Sequence, residues 1–216
     1  MAACTLKLYI GDALERVFHA KNVCIIVNGH SSGIEPYGMA GRVYNIHPFG
    51  DVITTRRRLF NLERAIKEDR PPTGSVFLRR PYSFPEHTCP SIATCITQFG
   101  YGRPYDERDA KKILSKDQHF VQNLEKDVVQ KRIENFKHCM EALTQEAIKK
   151  ENKDLDLFLI QAGMGRGGRM DDVWLTSYLP IIEEFANHLK MYDIRVVLFI
   201  GENMEIPYHL NHLNRI

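Results

Sequence analysis

The sequence has no long apolar run, and this absence excludes a membrane-spanning helix. No stretch of its 216 residues approaches the roughly 18 consecutive apolar residues that such a helix needs. The N-terminal segment MAACTLKLYI also has no basic stretch followed by an apolar core, so it predicts no secretory signal. We therefore expect a soluble intracellular protein, cytoplasmic or nuclear, with no membrane partner.

An excess of charge of one sign is also missing. The 29 Lys and Arg residues nearly balance 27 Asp and Glu residues, which leaves a formal net charge of +2. This balance does not indicate a nucleic-acid partner. The basic cluster Arg56, Arg57 and Arg58 shares a predicted helix with the apolar residues Leu59 and Leu62, a pattern typical of a solvated helix face.

The chain has only five cysteines, and their spacing does not indicate a disulfide-bonded protein or a zinc-binding protein. No two cysteines form a Cys-x-x-Cys motif, and none lies at zinc-binding spacing from a histidine. We therefore expect reduced, buried thiols, with no disulfide, no structural metal and no cofactor. The five cysteines are Cys4, Cys24, Cys89, Cys95 and Cys139.

The composition and the apolar pattern predict one α/β domain over residues 1–216. Hydrophobic residues make up 44% of the chain, which is enough for a sizeable core. The continuous apolar run at 23–27 is typical of a strand covered on both faces, so a buried, mostly parallel sheet follows. Strands are predicted over 6–10, 23–27, 74–78, 91–97, 157–161 and 194–199, and helices over 39–45, 55–67, 133–147 and 174–190.

The sequence also predicts how two strands pair and where a surface insertion lies. The strands predicted at 74–78 and 91–97 are candidates for an antiparallel pair, with the proline-rich segment 80–90 as their connector. Residues 103–130 are charged and poor in large apolar groups, so they predict a surface insertion that is partly helical or mobile.

A first glycine-rich segment follows the apolar run at 23–27. Residues 27–41 contain Gly29, Gly33, Gly38 and Gly41, just where a strand gives way to a loop. Glycines let a backbone approach an anion closely, and the N–H groups of a loop and a following helix supply donors. The segment therefore favours phosphate binding, although a tight turn alone would also explain it.

A second segment of the same kind lies far downstream. The predicted strand at 157–161 runs into Gly163, Met164, Gly165, Arg166 and Gly167, and a helix follows. Two strand-to-glycine junctions suggest one ligand held from two sides.

The second segment also satisfies the dinucleotide-binding pattern Gly-x-Gly-x-x-Gly over residues 163–168. That fingerprint belongs to the first strand–helix–strand unit of a domain, with a carboxylate closing the next strand. Here a single strand follows, and the nearest carboxylate, Glu202, lies beyond Gly201. A dinucleotide-binding domain is therefore the less favoured interpretation.

Taken together, the landmarks resemble the macro domains, which bind ADP-ribose. Hallmarks of that family are a Gly-Asp after the first strand, a Val-Asn-Ala-Ala-Asn segment, a glycine loop and a later Gly-x-Gly loop. The resemblance covers most of residues 6–200 and implies a three-layer α/β/α sandwich around a mixed, mostly parallel sheet. The matching segments are Tyr9-Ile10-Gly11-Asp12-Ala13-Leu14, Val27-Asn28, Gly38-Met39-Ala40-Gly41 and Gly163-Met164-Gly165-Arg166-Gly167-Gly168.

The resemblance also implies roles for individual residues. Asp12, with Ala13 beside it, would accept a hydrogen bond from the adenine amino group, although a helix N-cap is the alternative role. Asn28 would hold the first loop through its side-chain amide. The diphosphate would lie between Gly38, Met39, Ala40 and Gly41 on one side and Gly163, Met164, Gly165, Arg166 and Gly167 on the other.

Departures from the family pattern bear on catalysis. Ser31 stands where the family's second asparagine contacts the distal ribose, and serine has a different donor pattern. The branch that removes ADP-ribose from glutamate uses a lysine and an aspartate, but the matching positions here are Gln98 and Gly167. His30, beside the first loop, is the candidate for activating a water molecule, and a structural hydrogen-bonding role is its alternative.

Three functions therefore stay open. The protein is an enzyme that hydrolyses a group from the distal ribose, as an ADP-ribose-1''-phosphate phosphatase or an ADP-ribosyl hydrolase; a non-catalytic reader of free or protein-linked ADP-ribose; or an interaction module that has lost the ligand. Glycines in both segments count against the third function, since a lost site has no need for close backbone approach. No pattern in the sequence sets an oligomeric state.

Overall fold

A mostly parallel β-sheet organises the chain. The computed structural model describes residues 6–12, 23–30, 72–79, 83–84, 87–88, 91–98, 118–149, 156–160, 172–202 and 204–216. The strands are β1 (Lys7–Ile10), β2 (Val23–His30), β3 (Val76–Arg79), β4 (Ser83–Phe84), β5 (His87–Thr88), β6 (Ser91–Gln98), β7 (Asp156–Ile160), β8 (Val196–Ile200) and β9 (Asn214–Arg215). The helices are α1 (Gln118–Ala147) and α2 (Leu179–Lys190), and a π-helical turn at Trp174–Tyr178 leads into α2.

The described strands form a main sheet of seven in the order β3-β6-β2-β7-β8-β1-β9. All neighbours in it pair in parallel except β3 and β6, which are antiparallel. The predicted α/β class, the parallel sheet and the antiparallel pairing of β3 with β6 are therefore confirmed. The connector between β3 and β6 contains the short pair β4 and β5, which the sequence pattern does not predict.

Both faces of β2 are buried, as its continuous apolar run predicts. Cys24 and Ile26 belong to the cluster that packs against α1 and α2. The alternate residues Val23, Ile25 and Val27 face the other way and are also no more than 4% exposed. Because side chains alternate along a strand, burial on both parities means that both faces of the sheet are covered.

The helix α1, which connects β6 to β7 in the sequence, packs its apolar stripe against the sheet. Its buried residues recur at three- and four-residue spacing, whereas Lys137, Glu141 and Gln145 between them are exposed. The stripe predicted for 133–147 is thus confirmed, but the helix begins earlier, at Gln118, inside the segment predicted as an insertion. The buried stripe comprises Phe136, Cys139, Met140, Leu143 and Ala147.

The helix predicted over 174–190 is also confirmed, and its first turn is wider than an α-helix. The N–H of Leu179 donates to the carbonyl of Trp174, five residues back. Pro180 follows directly, and in a regular helix its ring would clash with the carbonyl of Thr176. The wider turn is consistent with relief of that clash, and Thr176 Oγ1 donates to the carbonyl of Asp172, 2.6 Å away.

The end of the described chain adds an edge strand that the apolar pattern does not predict. The residues of β9 are exposed and polar, yet Lys7 and Leu8 of β1 pair with them in parallel. A 3₁₀ turn at Tyr208–Leu210 precedes β9 and inserts the buried side chain of Leu210 into the core. None of the described helices has the length and apolarity needed to cross a membrane.

Replacing Phe136 by alanine tests the core between α1 and α2. Phe136 is fully buried, and its ring centroid lies 5.1 Å from that of Tyr178. We expect Phe136→Ala to lower the free energy of unfolding by about 3–5 kcal/mol, because it leaves a cavity as well as losing apolar burial. The adjacent exposed residue provides the control, and Lys137→Ala should change stability by less than about 0.5 kcal/mol. Urea unfolding of the three proteins measures both, and equal stabilities would contradict this packing.

Candidate ligand-binding site

The carboxyl ends of the six parallel strands of the main sheet meet at one edge, which we call the carboxyl edge. At this edge β2 ends at His30 and β7 ends at Ile160. The two strands are direct neighbours, with Ile26 of β2 paired to Leu159 of β7. Both glycine-rich segments follow these strands in the sequence, so both start from adjacent points of the carboxyl edge.

The chain leaves β2 and β7 in opposite directions. After β2 it continues to β3 at one end of the sheet, whereas after β7 it continues to β8 on the other side. In open α/β sheets, the place where connections diverge in this way leaves a crevice outside the carboxyl ends of the strands, and ligands bind there. The β2–β7 junction is therefore the candidate ligand-binding point.

Asp12 lies at the same edge, directly after β1, and it is exposed. Gly11 sets its position, because the Gly11 N–H donates to the carbonyl of Ile200 at 3.0 Å. The φ of Gly11 is +152°, and a Cβ there would lie 3.0 Å from the Tyr9 hydroxyl oxygen. A residue with a side chain would be strained at this turn, so the Gly-Asp pair predicted as a landmark has a backbone reason for its glycine.

A β-bulge distorts the pairing of β2 and β6 at the carboxyl edge. Gly29 pairs with Ile96 but His30 pairs with Gln98, so Thr97 is an extra residue on β6. The carbonyl of Thr97 accepts a hydrogen bond from Nδ2 of the buried Asn135 at 3.0 Å. Bulges are frequent beside active sites, where they re-aim side chains. This hydrogen bond fixes α1 to the carboxyl end of β6.

Two buried polar atoms in the described part of the chain have no hydrogen-bond partner, namely Asn28 Oδ1 and Arg132 Nε. Asn28 lies two residues before the end of β2, on the face shared with Cys24 and Ile26 that α1 and α2 cover. Buried polar groups are nearly always paired in folded proteins, and an exception marks a place where a ligand or water belongs.

The three described cysteines are not candidates for a catalytic nucleophile. Burial raises the pKa of the Cys24 thiol to about 12, although a hydrogen bond with the Ala93 backbone opposes the shift. A hydrogen bond with Cys139, together with burial, raises the pKa of Cys95. Because the thiolate is the reactive form, Cys24 and Cys95 are inert thiols at neutral pH.

The prediction of free, buried cysteines is thus confirmed for Cys24, Cys95 and Cys139. The other two, Cys4 and Cys89, lie outside the described residues. Within the ranges that the structure describes, no group of three or more His, Cys, Asp or Glu side chains is arranged to hold a metal ion.

The structure describes three of the predicted site residues. Asp12 follows β1, Asn28 lies near the end of β2, and the backbone of His30 closes β2. Apolar periodicity alone did not select Asn135 or Arg132 as site candidates, although both occupy positions on the buried face of α1. The other predicted site residues lie outside the described residues; they are Ala13, Ser31, Gly38, Met39, Ala40, Gly41, Gly163, Met164, Gly165, Arg166 and Gly167.

Comparison with known proteins identifies the fold. No protein-family model matches the chain, and no curated protein matches it in sequence. The macrodomain of Mycobacterium tuberculosis DarG aligns in structure with a TM-score of 0.52 at 11% sequence identity, over 88% of this chain and 96% of that one. An α/β domain built on a mostly parallel sheet is therefore the class defined here. More specifically, the chain has the macrodomain fold, as the sequence resemblance implies.

Two further macrodomain structures align less well. A mutant macrodomain from Oceanobacillus iheyensis has a TM-score of 0.49 at 16% identity, over 91% of this chain and 83% of that one. A Trypanosoma brucei macrodomain in complex with ADP-ribose has a TM-score of 0.48 at 13% identity, over 92% of this chain and 64% of that one.

The raised pKa of Cys24 makes stability fall in alkaline solution. Unfolding returns the thiol pKa from about 12 to its ordinary value of 9.0, so above pH 9 the unfolded chain releases a proton that the folded chain retains. Stability from this group is complete below pH 9 and declines as pH rises toward 12. By pH 10 we expect wild type to lose about 1 kcal/mol more than Cys24→Ala, relative to pH 8. Urea unfolding at both pH values measures the difference, and parallel losses would contradict the burial of this thiol.

Proposed function

We propose that the protein binds ADP-ribose, or a derivative of it, in the crevice at the carboxyl edge. The observation that carries this proposal is the emergence of both glycine-rich segments from the neighbouring strands β2 and β7, whose onward connections diverge. A crevice bordered by two such segments offers backbone N–H donors to a diphosphate from two sides. The macrodomain fold supports the choice of ligand.

The spacing of the strands suits a ligand of this length. Asp12 follows β1, and three strand spacings separate β1 from β2 in the sheet, which amounts to about 14 Å. In the proposed pose the adenine amino group donates to Asp12, the diphosphate crosses the ends of β8 and β7, and the distal ribose lies near His30 and Ser31. The glycines of 38–41 and 163–167 supply N–H groups to the diphosphate, and Arg166 adds a charge-assisted contact.

Calorimetric titration with ADP-ribose tests this proposal, with ADP and NAD as comparison ligands. We expect micromolar binding of ADP-ribose that Gly165→Glu abolishes, because a carboxylate would occupy the place of the diphosphate. Asp12→Ala should weaken binding about tenfold, since it removes one charge-assisted hydrogen bond to adenine. Glu184→Ala, at an exposed carboxylate of α2, is the control and should bind like wild type. No heat and no thermal stabilisation of wild type at millimolar ADP-ribose would refute the proposal.

The bulge beside His30 favours a second, narrower activity. We propose that the protein also hydrolyses a group from the distal ribose, with His30 as the base that activates water. For a 1''-phosphate, water adds to phosphorus, the bond between phosphorus and the ribose oxygen breaks, and phosphate and ADP-ribose leave. The bulge places the extra residue Thr97 of β6 opposite the end of β2, where such a base would stand. The absence of the lysine and aspartate pair at Gln98 and Gly167 speaks against glutamate deADP-ribosylation by that mechanism.

Replacing His30 separates an enzyme from a reader. We expect His30→Ala to lower phosphate release from ADP-ribose-1''-phosphate by about 100-fold or more while ADP-ribose affinity changes less than about threefold. His209→Ala, at an exposed histidine in the 3₁₀ turn before β9, is the control and should keep full activity. If wild type binds ADP-ribose but releases no phosphate and removes no ADP-ribose from modified protein, the protein is a reader.

A further inference from the structure

Arg132 is a charged residue on the face of α1 that packs against the core. The buried stripe of α1 continues backward from Met140 through Phe136 to Arg132 at four-residue spacing, so the position calls for an apolar side chain. Arg132 is half-buried, and its Nε is shut off from solvent. Within the described part of the chain, this Nε has no hydrogen-bond partner, and no ion pair involves Arg132.

The helix places Arg132 at the carboxyl edge. Asn135 binds the carbonyl of Thr97, one residue before the end of β6. Arg132 lies three residues closer to the start of α1, about 4.5 Å further along the helix axis. Side chains of a helix lean toward its N-terminus, so Arg132 extends further in the same direction, beyond the end of β6.

The position of Arg132 also relates it to Asn28. Both residues belong to the face of the sheet that α1 and α2 cover, and β2 and β6, whose ends they flank, are neighbours. The two unpaired buried atoms are an acceptor on Asn28 and a donor on Arg132. Two unsatisfied groups of opposite hydrogen-bonding type at one end of one layer indicate a polar ligand there.

A half-buried arginine whose Nε is shut off from solvent without a partner costs stability, and an apolar residue of the same length would remove that cost. The group that would pair with it is an anion, and a guanidinium suits the planar, two-pronged recognition of phosphate oxygens. We propose that Arg132 is a phosphate-binding residue that approaches the ligand from the α1 side of the carboxyl edge. The sequence resemblance implies phosphate contacts only from the two glycine segments and Arg166.

Two phosphate sources fit this chemistry. One is the diphosphate common to ADP and ADP-ribose, and the other is a phosphate ester on the distal ribose. The ends of β2 and β6 lie away from β1, where the proposed pose puts adenine, so the distal-ribose phosphate is the nearer group. The choice between the sources rests on the proposed function, whereas phosphate binding by Arg132 is tested without it.

Calorimetry of Arg132→Met distinguishes the sources. We expect this variant to bind ADP-ribose-1''-phosphate at least tenfold more weakly than wild type, with ADP-ribose affinity within twofold. An equal loss of affinity for both ligands would show that Arg132 contacts the diphosphate that they share, and Arg132 would still be a phosphate-binding residue. Lys137→Met, at an exposed cation on the opposite side of α1, is the control and should change neither affinity. If wild type hydrolyses the ester, the titrations use the His30→Ala background.

Stability gives a readout that does not depend on ADP-ribose. Removing the buried, unpartnered Nε from this half-buried position should raise the Tm of Arg132→Met by about 2–4 °C in the absence of ligand. Inorganic pyrophosphate should then stabilise wild type but not Arg132→Met, and Arg132→Gln provides a second variant if the first fails to fold. If wild type does not bind ADP-ribose, the pyrophosphate result alone decides whether Arg132 binds phosphate. Equal responses of wild type and both variants to pyrophosphate, and equal affinities for every ligand that binds, would overturn the proposal.

Discussion

The parallel pairing of β2 with β7 is the constraint on which the rest of the site depends. Parallel strands must have their carboxyl ends at the same edge, so pairing Ile26 with Leu159 brings together two junctions that are more than a hundred residues apart in the chain. The pairing requires both faces of the sheet to be covered, and the burial of alternate β2 residues meets that requirement. Neither glycine segment needs to bind anything for this convergence to occur. Hydrophobic burial in the sheet thus brings the two strand ends together in advance of any ligand.

Much of the fold is predictable from the sequence because its core elements carry clear apolar patterns. The uninterrupted apolar run at 23–27 and the stripe from Phe136 to Ala147 each have one physical interpretation, and the structure agrees with both. The strand β9 shows where this reasoning fails. Its Asn-Arg sequence is exposed and polar, and only backbone hydrogen bonds to β1 make it a strand. Backbone pairing of this kind has no signature in side-chain hydropathy.

The candidate site is less predictable for a related reason. Asp12 and the end of β2 were found from sequence because glycines and neighbouring polar residues mark strand ends. Periodicity places Arg132 and Asn135 on the buried face of α1, but it cannot tell which of them finds a partner. The Thr97 carbonyl is available to Asn135 only because a bulge releases it from the ladder. That release is a property of strand register, which the sequence of β6 alone does not determine. The roles of the glycine segments themselves stay predictions.

The π-helical turn before α2 has a consequence for how this site has been able to change. A turn that spans five residues where an α-helix spans four carries, in effect, one inserted residue. Its presence lets the buried face of α2 keep its contact with α1 while Asp172 is rotated by about 100° relative to a regular helix. The second glycine segment precedes Asp172 in the sequence. Insertion or loss of one residue here would therefore turn the chain before α2 about the helix axis while α2 keeps its buried face, and the core would have to repack at Trp174, which is 1% exposed at the start of the turn.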